Sequence, residues 1–493
     1  MCAQSKTTSF ISFITGDHNN NLPAVRIKKA ILKDFKNVEY GEITFNCGRQ
    51  FVPYNTEADI MGIYGQNGSG KTSLIEALAI LKDLMAGERV HSVYADCITV
   101  GKNHAELEFV FDLQYPDGIV REATYAFSIK NQEATQEEIR EKYKDCEDID
   151  IPDSEMKVVV FNEKFYLLWE NASKKQLIID TSSEETAFVP NTKRKVIAGN
   201  GKRTLIALEV KKQLASNGSK SFIFFSDTLS IFNENDNTCI FFKVLAELRL
   251  YAKYRLFVID TRSSGFIRFN IAIPIYTKDG RIGLLKTNNP MTITEDQLDD
   301  VKKVIHEISF VLSQLVPGLN IDIKKLSNTL SKDGKPAAIT MLVAFREGNE
   351  LPLRDESDGV RKIISILSLI IEAFNDHSAT VAIDEFDAGI FEYLLGEILQ
   401  AMEESGKGQF IFTSHNLRPL EVINKKFLCF TTTNPQNRYI RLKNIATTNN
   451  LRDTYIREIL LNEQEEEIYN CTKRFNIVAA MRKAGGLRDG EKA

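Results

Sequence analysis

The sequence predicts an α/β fold: a mixed or parallel sheet with helices on both faces, an antiparallel β-layer beside it and an inserted, mainly helical domain. The first indication is a strand–turn–helix pattern in residues 60–84. The second is the alternation of apolar strands and helices in residues 320–415, since parallel strands need crossover helices that cover both faces of the sheet. The third is a period-two alternation in residues 106–129, split by a Pro-Asp-Gly turn, which is typical of an antiparallel hairpin.

The length and composition are those of a globular protein with more than one unit. The 493 residues exceed one ordinary core, and the hydrophobic and charged shares are average at 43% and 26%. The longest apolar stretch, around residues 363–371, is shorter than the roughly 18 residues of a membrane span, so we expect no membrane contact. The net charge of −5 gives no general attraction to nucleic acid.

The N-terminus and the cysteines predict a cytoplasmic protein. Residues 1–20 lack the basic start and the long apolar core of a secretory signal. The 7 cysteines are scattered without a CxxC pair or a neighbouring histidine cluster, which is typical of reduced thiols in a cytosol.

A phosphate-binding loop follows the first apolar strand. Residues 65–72 read Gly-Gln-Asn-Gly-Ser-Gly-Lys-Thr and fit G-x-x-x-x-G-K-[ST] between a strand and a helix. Its glycines let successive backbone N–H groups point at a β-phosphate, and the helix N-terminus adds its positive end. We expect Lys71 to bridge the β- and γ-phosphates of ATP and the Thr72 hydroxyl to hold Mg²⁺. The candidate nucleotide-binding residues here are Gly65, Asn67, Gly68, Ser69, Gly70, Lys71, Thr72 and Ser73.

Two adjacent carboxylates, Asp384 and Glu385, end the apolar run of residues 380–383. On a central parallel strand this end lies beside the phosphate loop, where Asp384 can hold Mg²⁺ through water. Glu385 lies just past the strand end and can polarise the attacking water, so it is the candidate catalytic base. The alternative is a surface turn that carries two acids.

His415 ends another apolar strand pattern, which begins at residue 409. A lone histidine is usually structural, but at the end of a sheet strand it can reach a γ-phosphate and report whether it is present. We therefore include His415 with Lys71 and Glu385 among the candidate catalytic residues.

The segment Glu356-Ser357-Asp358-Gly359 opens an apolar helix that we expect to be buried. Ser357 is a good N-cap, and simple helix capping is the alternative explanation of the segment. Because the segment stands in this order with the other motifs, we expect the N–H groups of this helix end, with Ser357 and Gly359, to bind the γ-phosphate of a nucleotide held by a second subunit.

The order of these motifs resembles the ATP-binding head of ABC-type ATPases, and the long gap between the two halves is similar to the SMC-like branch, which includes recombination-repair and OLD-type ATPases. The resemblance covers about residues 26–129 and 320–440. It implies that Asp387 is the D-loop residue, and we call residues 386–389 the D-loop. The signature departs from the commonest form, since it lacks the leading Leu and the second Gly, and no convincing Q-loop glutamine is present.

By this resemblance the chain divides into four predicted units. Residues 1–180 and 319–450 are the two halves of a P-loop, ABC-type ATPase head. Residues 181–318 are an inserted, largely helical domain, and residues 451–493 are a C-terminal helical tail.

The resemblance also implies a mechanism and partners. Each copy would hold one half of each catalytic site, so ATP would join a head-to-tail homodimer, or a higher even oligomer, and hydrolysis would release it. Many short-armed heads of this kind look like components of bacterial anti-phage systems, in which a partner protein carries the toxic activity. The expected function is an ATPase that drives or gates such an effector.

An alternative function is a DNA-binding, repair-type ATP clamp. Its footprint would be the basic run in residues 193–212, although a solvated surface is the better explanation of that run.

A third function, a metal-dependent nuclease, would use the E-x-K of Glu209 and Lys211 with Asp180 upstream. However, this segment repeats apolar residues every four positions, which predicts a helix with a solvated Glu209. The repeating residues are Ile206, Val210 and Leu214.

Overall fold

The computed structural model describes most of the chain, namely residues 22–45, 59–142, 154–170, 172–262, 272–276, 282–331, 333–442, 451–461, 464–470 and 472–489. Residues 1–20, on which the expectation of no secretory signal rests, lie outside the described residues. In the described ranges, no helix combines the length and the apolar character that crossing a membrane requires.

The elements of the described residues have the following bounds. The strands are β1 (Ala24–Phe35), β2 (Val38–Thr44), β3 (Asp59–Tyr64), β4 (Ala105–Gln114), β5 (Val120–Glu133), β6 (Met156–Leu168), β7 (Gln176–Asp180), β8 (Leu256–Ile259), β9 (Ala272–Tyr276), β10 (Ile282–Lys286), β11 (Met291–Thr294), β12 (Leu319–Leu330), β13 (Pro336–Arg346), β14 (Asn349–Pro352), β15 (Thr380–Ile383), β16 (Gln409–Thr413), β17 (Leu428–Thr431) and β18 (Tyr439–Ile440). The helices are α1 (Lys71–Ala86), α2 (Gln136–Lys142), α3 (Asn191–Ala198), α4 (Lys202–Asn217), α5 (Ser226–Asn235), α6 (Ile240–Tyr254), α7 (Glu295–Leu315), α8 (Asp358–Asn375), α9 (Glu392–Ser405), α10 (Pro419–Val422), α11 (Leu451–Leu461) and α12 (Arg474–Asp489).

The central sheet has the strand order β18-β17-β3-β16-β15-β8. The strands from β17 to β8 are parallel to their neighbours, and β18 pairs antiparallel with β17. Side chains alternate between two hydrophobic cores, so that in β16 Ile411 packs into one core and Phe410 and Phe412 into the other. Both faces are therefore buried, as expected for parallel strands with crossover helices, and the predicted α/β fold class is confirmed.

The antiparallel β-layer has the order β2-β1-β4-β5-β6-β7. The hairpin predicted in residues 106–129 is formed by β4 and β5, which pair from Ala105–Ile129 to Gln114–Val120. The layer supplies aromatic side chains, such as those of Phe109 and Phe127, to the same core that covers one face of the central sheet. The β-layer therefore packs against α1, the helix that follows the glycine-rich loop.

The first four helices of the predicted insertion, residues 181–318, share a core with the β-layer rather than forming one of their own. Helices α3 to α6 contribute Leu208, Phe232 and Leu248 to the core that the β-layer and α1 share. The chain then enters β8, which lies inside the predicted insertion but is an edge strand of the central sheet, parallel to β15. Periodicity could not reveal β8, because its four residues directly follow a helix. The boundaries of the four units stay a prediction.

A further antiparallel sheet, β11-β13-β12 with β14 on β13, leads into the second half of the chain. The apolar pattern that begins at Leu298 predicts a helix, and the structure has α7 there. Its buried residues include Leu298, Val301, Ile305, Ile308 and Leu312. Helix α7 packs against β12, and β14 leads through a short turn into α8. This sheet thereby sets where α8 begins.

In the predicted C-terminal helical tail, residues 451–493, the described residues form the two helices α11 and α12. Helices α11 and α12 are separated by residues 464–470, in which Ile468 is buried. The Thr433 N–H donates to the Glu467 carbonyl at 2.7 Å. Because Ile468 is buried, this segment lies against the body of the protein, while the side chains of Glu465 and Glu467 are exposed.

Candidate nucleotide-binding site

The glycine-rich loop joins β3 to α1. Gly65, Gly68 and Gly70 have φ angles of 154°, 77° and 96°, which residues with a side chain rarely adopt. Space adds a second requirement at Gly65, because a Cβ there would collide with the hydroxyl of Thr431. The loop conformation is therefore available only to a sequence with glycine at these positions.

Lys71 is buried, and the loop itself holds its ammonium group. Nζ donates to the carbonyl oxygens of Gly65 at 2.8 Å and Gln66 at 2.9 Å. Burial lowers the pKa of Lys71 to about 8, and the nearby carboxylates of Asp384 and Glu385 oppose this decrease. The cation is thus placed where phosphate oxygens could replace the two carbonyl acceptors.

Residues of neighbouring elements form hydrogen bonds with the loop and with the start of α1. Asn37, in the turn between β1 and β2, donates through Nδ2 to the Gly68 carbonyl and accepts from Ser73 Oγ at 3.0 Å. The Tyr439 hydroxyl donates to the Gly70 carbonyl at 2.8 Å. These contacts could not be predicted, because Asn37 and Tyr439 are far from the loop along the chain.

Other residues of the loop differ in exposure. Asn67 is exposed at the tip of the loop, whereas Ser69 is buried. Ser69 Oγ donates to the Gln66 carbonyl at 2.7 Å. The Gln66 side chain in turn accepts from the Asn470 N–H at 2.9 Å, so the tail segment 464–470 reaches the loop.

Asp384 lies at the carboxyl end of β15 among threonine hydroxyl groups. Thr413 Oγ1 donates to Asp384 Oδ1 at 2.6 Å, and Thr261 Oγ1 donates to Oδ2 at 3.1 Å. Thr72 Oγ1 lies 3.4 Å from Oδ1. The structure thus brings together the two residues predicted to hold Mg²⁺. Hydroxyl and carboxylate oxygens suit this ion, which usually completes its coordination with water and substrate phosphates.

Glu385 follows Asp384 with a left-handed backbone, φ 48°. Its N–H donates to Thr413 Oγ1 at 2.8 Å, and its carbonyl accepts from Lys362 Nζ at 2.7 Å. The side chain of Glu385 is exposed. A non-glycine residue in this conformation costs roughly 1 kcal/mol or more, and such strain is typical of functional sites.

Asp387 fixes the loop that carries His415. Its carboxylate accepts from the His415 N–H at 3.2 Å and from the Asn416 N–H at 3.0 Å. The His415 side chain is exposed beyond the carboxyl end of β16. Within its own chain Asp387 therefore positions the predicted switch histidine, a role that the sequence did not suggest.

Ser357 and Gly359 lie at the start of α8. The Ser357 hydroxyl accepts from the Val360 N–H at 3.4 Å, which is the capping contact considered as the alternative. Gly359 packs against the D-loop, since a Cβ there would collide with the Gly389 carbonyl. Their described contacts in one copy are thus with α8 and the D-loop, whereas Lys71, Thr72, Asp384 and Glu385 gather at the edge of the sheet.

Three side chains at this edge were not predicted: Thr413, Thr261 and Lys362. Thr413 ends a buried strand, so its polar character at that position was the available signal. Thr261 gave none, because the strand before it, β8, was not recognised. Lys362 contacts the Glu385 carbonyl because α8 lies close to it in the folded protein. No local sequence pattern predicts this packing.

Two residues of the alternative nuclease, Lys211 and Asp180, have other partners in the structure. Glu209 and Lys211 lie on α4, as the apolar spacing predicted, and Lys211 pairs with Asp227 at 2.6 Å. Asp180 accepts from the Ser182 N–H at 2.9 Å. Across the described ranges, no group of three or more His, Cys, Asp and Glu residues could hold a metal ion.

The basic run of residues 193–212 is partly committed to the fold. Arg194 is buried and donates to the Phe188 carbonyl at 3.3 Å. Lys212 Nζ donates to the Ser183 carbonyl at 2.7 Å. These two cations are therefore less available to a nucleic acid than the sequence suggests.

Comparisons with known proteins bear on the whole chain. The family model described as AAA ATPase domain matches residues 26–418. Similar solved structures include the SMC head domain from Thermotoga maritima, with 15% identity, coverage of 85% of this chain and 100% of that chain, and a TM-score of 0.33. The Smc head domain with a coiled coil and joint from Pyrococcus yayanosii has 11% identity, coverage of 88% and 99%, and a TM-score of 0.37. The recombination mediator protein RecF with ATPrS, of the RecFOR pathway, has 11% identity, coverage of 85% and 99%, and a TM-score of 0.35. No curated protein matches.

Proposed function

This chain is an ATPase that belongs to the AAA ATPase domain family, and we propose that two copies of it close head to tail around ATP and hydrolyse it with Mg²⁺. The proposal rests chiefly on the meeting of two distant segments at one edge of the central sheet, where Thr72 lies 3.4 Å from Asp384. The carboxyl ends of parallel strands are where α/β sheets bind their ligands.

In this proposal the phosphate loop binds the β- and γ-phosphates. The backbone N–H groups of residues 65–72 and the Lys71 ammonium would contact phosphate oxygens in place of the loop carbonyls. Thr72 and Asp384 would hold Mg²⁺, with Asp384 acting through water. The ion would neutralise the charge that develops on the phosphates. The hydroxyl groups of Thr413 and Thr261 would keep the Asp384 carboxylate in place.

Glu385 is the proposed general base. Its exposed carboxylate would take a proton from the water that attacks the γ-phosphorus, as the bond to the β–γ bridging oxygen breaks. His415 would contact the γ-phosphate, and Asp387 would keep the His415 loop in place. The contacts of the Glu385 backbone support this role, because they hold a strained conformation next to the metal-binding residue.

The second copy would complete each site with Ser357 and Gly359. A helix N-terminus presents backbone N–H groups that favour an anion. The approach to this helix end is fixed by Arg346, whose guanidinium binds the Glu356 carboxylate at 3.0 and 3.2 Å. A γ-phosphate held by both copies would join them, and its removal would let them separate.

The proposed output is a change in the distance between the two heads that drives or gates an effector protein, in the cytoplasm and in defence against phage. This step is supported by the resemblance of the motif order alone. Purification of the Glu385→Gln protein with ATP, followed by identification of the proteins and nucleic acids retained, tests it. Enrichment of one protein over the ADP sample is expected, and enrichment of DNA alone would favour the clamp.

ATP turnover by the purified protein tests the enzymatic core of the proposal. We expect phosphate release with Mg²⁺, none with EDTA, and a loss of at least about 10-fold in ATP affinity for Lys71→Ala, since a charge-assisted contact contributes roughly 1.5–3 kcal/mol. Lys303→Ala, a change of an exposed lysine on α7, is the matched control. Unchanged ATP binding in Lys71→Ala would overturn the site assignment.

A mixing experiment tests the head-to-tail arrangement. Lys71→Ala and Ser357→Arg should each be inactive alone, because each disables both sites of a symmetric dimer. In a mixed dimer both defects fall in one site and the other site is intact. An equal mixture should therefore recover up to about one quarter of wild-type turnover, since about half of random pairs are mixed. Turnover no greater than the average of the two variants would argue against shared sites.

A further inference from the structure

Lys362 contacts the candidate base through the backbone. It lies in the second turn of α8, and its Nζ donates to the carbonyl oxygen of Glu385 at 2.7 Å. The roles proposed above for ATP, Mg²⁺ and the attacking water do not use Lys362. Its contact is with a catalytic candidate that lies more than twenty residues further along the chain.

The charge of Lys362 is placed among carboxylates. The groups that attract it are Asp387, Glu385 and Asp384, whose negative charges oppose the decrease in the pKa of Lys362 that burial causes. A lysine kept charged in a partly buried position binds a backbone carbonyl more strongly than a neutral donor does. The contact with Glu385 is therefore a strong one.

The backbone of Glu385 needs such support. Its φ of 48° is in the left-handed region, which side-chain-bearing residues avoid unless the surroundings hold them there. Thr413 Oγ1 accepts from the N–H on one side, at 2.8 Å, and Lys362 donates to the carbonyl on the other. The two contacts together fix the peptide planes on both sides of the Glu385 Cα, and hence the direction of its side chain.

Helix α8 is seated firmly enough to serve as the anchor for this contact. Gly359 and Gly389 touch without a side chain between them, so the first turn of α8 lies directly on the D-loop backbone. The neighbouring Arg361 donates to Asn288 Oδ1 at 2.8 Å, which ties the same turn to the segment before β11. Lys362 therefore extends from a fixed position.

We propose that Lys362 is a positioning residue, which holds the left-handed backbone of Glu385 through its carbonyl and so aims the Glu385 carboxylate at the attacking water. This inference rests on the proposed function, in which Glu385 is the base. Lys362 itself need not touch ATP, so its loss should affect turnover much more than nucleotide binding.

Three substitutions at Lys362 distinguish the effect of its hydrogen bond from the effect of its charge. Lys362→Met removes both donor and charge, Lys362→Gln keeps a neutral donor, and Lys362→Arg keeps the charge and the donor. We expect kcat to fall about 10- to 100-fold in Lys362→Met, because displacement of a catalytic group by about 1 Å costs up to roughly 100-fold. The Kd for a fluorescent ATP analogue should stay within about 3-fold in the same variant. Lys362→Arg should recover most of the lost turnover, and Lys362→Gln less.

A double-mutant cycle with Glu385→Gln shows whether Lys362 acts through Glu385. In the Glu385→Gln background, Lys362→Met should lower the residual rate by less than about 2-fold, since the positioned carboxylate is already gone. Unchanged kcat in Lys362→Met, or equal losses in the two backgrounds, would overturn the proposal. If Lys362→Met does not fold, Lys362→Gln against Lys362→Arg gives the same comparison. A normal rate in Glu385→Gln alone would instead overturn the proposed function.

Discussion

The two ends of the central sheet use similar residues for different purposes. We call the carboxyl ends of β15 and β16, with Asp384, Glu385 and Thr413, the nucleotide edge. We call the amino ends of β3, β15 and β16, with Asp59, Thr380 and Gln409, the structural edge. Each edge has a threonine hydroxyl, an acid and a further polar residue, and yet their surroundings differ.

The structural edge is a closed hydrogen-bond network. Gln409 accepts from the Ile27 N–H at 3.1 Å and donates to the Ile27 carbonyl and to Asp59 Oδ2, both at 2.8 Å. Its Oε1 also accepts from Thr380 Oγ1 at 3.2 Å, and Thr380 accepts from the Tyr251 hydroxyl at 2.8 Å. Such a network stabilises the fold, because every one of these groups would otherwise be buried without a partner.

The nucleotide edge differs in two of its features. Glu385 is exposed and strained, and Lys71 is bound to loop carbonyls that phosphate oxygens could replace. Glu385 therefore contributes little to stability, whereas Asp384 and Thr413 are buried and hydrogen-bonded to each other. The comparison indicates that changes at the nucleotide edge should alter turnover, whereas changes at the structural edge should alter the free energy of unfolding.

The largest expected effect is that of Glu385→Gln. Removal of the general base should lower kcat by about 100- to 10,000-fold, while ATP binding and the Tm stay near the wild-type values. Steady-state phosphate release, together with equilibrium binding of ATP, measures both. Glu397→Gln, an equally conservative change at an exposed position of α9, is the control. A Tm decrease as large as that of a structural-edge variant would contradict the claim that the nucleotide edge affects turnover and the structural edge affects stability.

Gln409→Leu should have the next largest effect, on stability alone. It removes the side-chain partner of the Ile27 peptide groups and one of the two partners of Thr380, and each buried polar group left unpaired costs about 1–3 kcal/mol. We expect the free energy of unfolding in urea to fall by roughly 2–4 kcal/mol. The kcat per folded molecule should change less than about 2-fold. A selective loss of turnover at unchanged stability would contradict this division.

The same substitution at both edges sharpens the comparison. Thr413→Val removes the hydroxyl that donates to Asp384 and accepts from the Glu385 N–H. We expect kcat to fall about 10-fold, which corresponds to an increase of roughly 1.4 kcal/mol in the activation free energy. Thr380→Val should leave kcat unchanged and lower stability by about 1–2 kcal/mol. Thr413→Ser should restore turnover. Equal effects of the two valine variants on kcat would count against the assignment of Thr413.

The smallest expected effect is a pH dependence at the structural edge. Burial raises the pKa of Asp59 above its ordinary value of 3.8, and the attraction of Arg26 opposes this increase. Because the folded state favours the protonated acid, the contribution of Asp59 to stability is greatest below that ordinary value and decreases as the pH rises through the folded-state pKa. Asp59→Asn cannot ionise, so its Tm relative to wild type should increase between about pH 4 and pH 7. A decrease in the Tm of Asp59→Asn relative to wild type over the same pH range would contradict this prediction.

Much of the fold could be predicted because it depends on local patterns. The phosphate loop needs glycine at fixed positions, the β4–β5 hairpin alternates with period two, and α7 repeats its apolar residues with helical spacing. Strand β8 could not be predicted, because four apolar residues after a helix carry no period of their own. The position of residues 464–470 could not be predicted either, because it depends on one buried residue, Ile468.

The candidate site could be predicted to the extent that its chemistry needs particular residue types in a short stretch. Lys71, Thr72, Asp384 and Glu385 stand out for that reason. The positions of Thr261 and Lys362 depend on how β8 and α8 approach the end of β15, which only the assembled sheet determines. Asp387 was assigned from a resemblance. Its hydrogen bonds with the His415 loop indicate a positioning role, which the order of the motifs does not predict.

The association of two heads around ATP is the claim on which the rest depends most directly. Light scattering on the Glu385→Gln protein with Mg²⁺ and ATP measures it, because this variant should bind ATP without hydrolysing it. The account predicts a particle of twice the 55.8 kDa of one chain with ATP, and of 55.8 kDa with ADP or when Ser357→Arg is added. A mass of one chain under all three conditions, at concentrations where ATP binding is saturated, would contradict it.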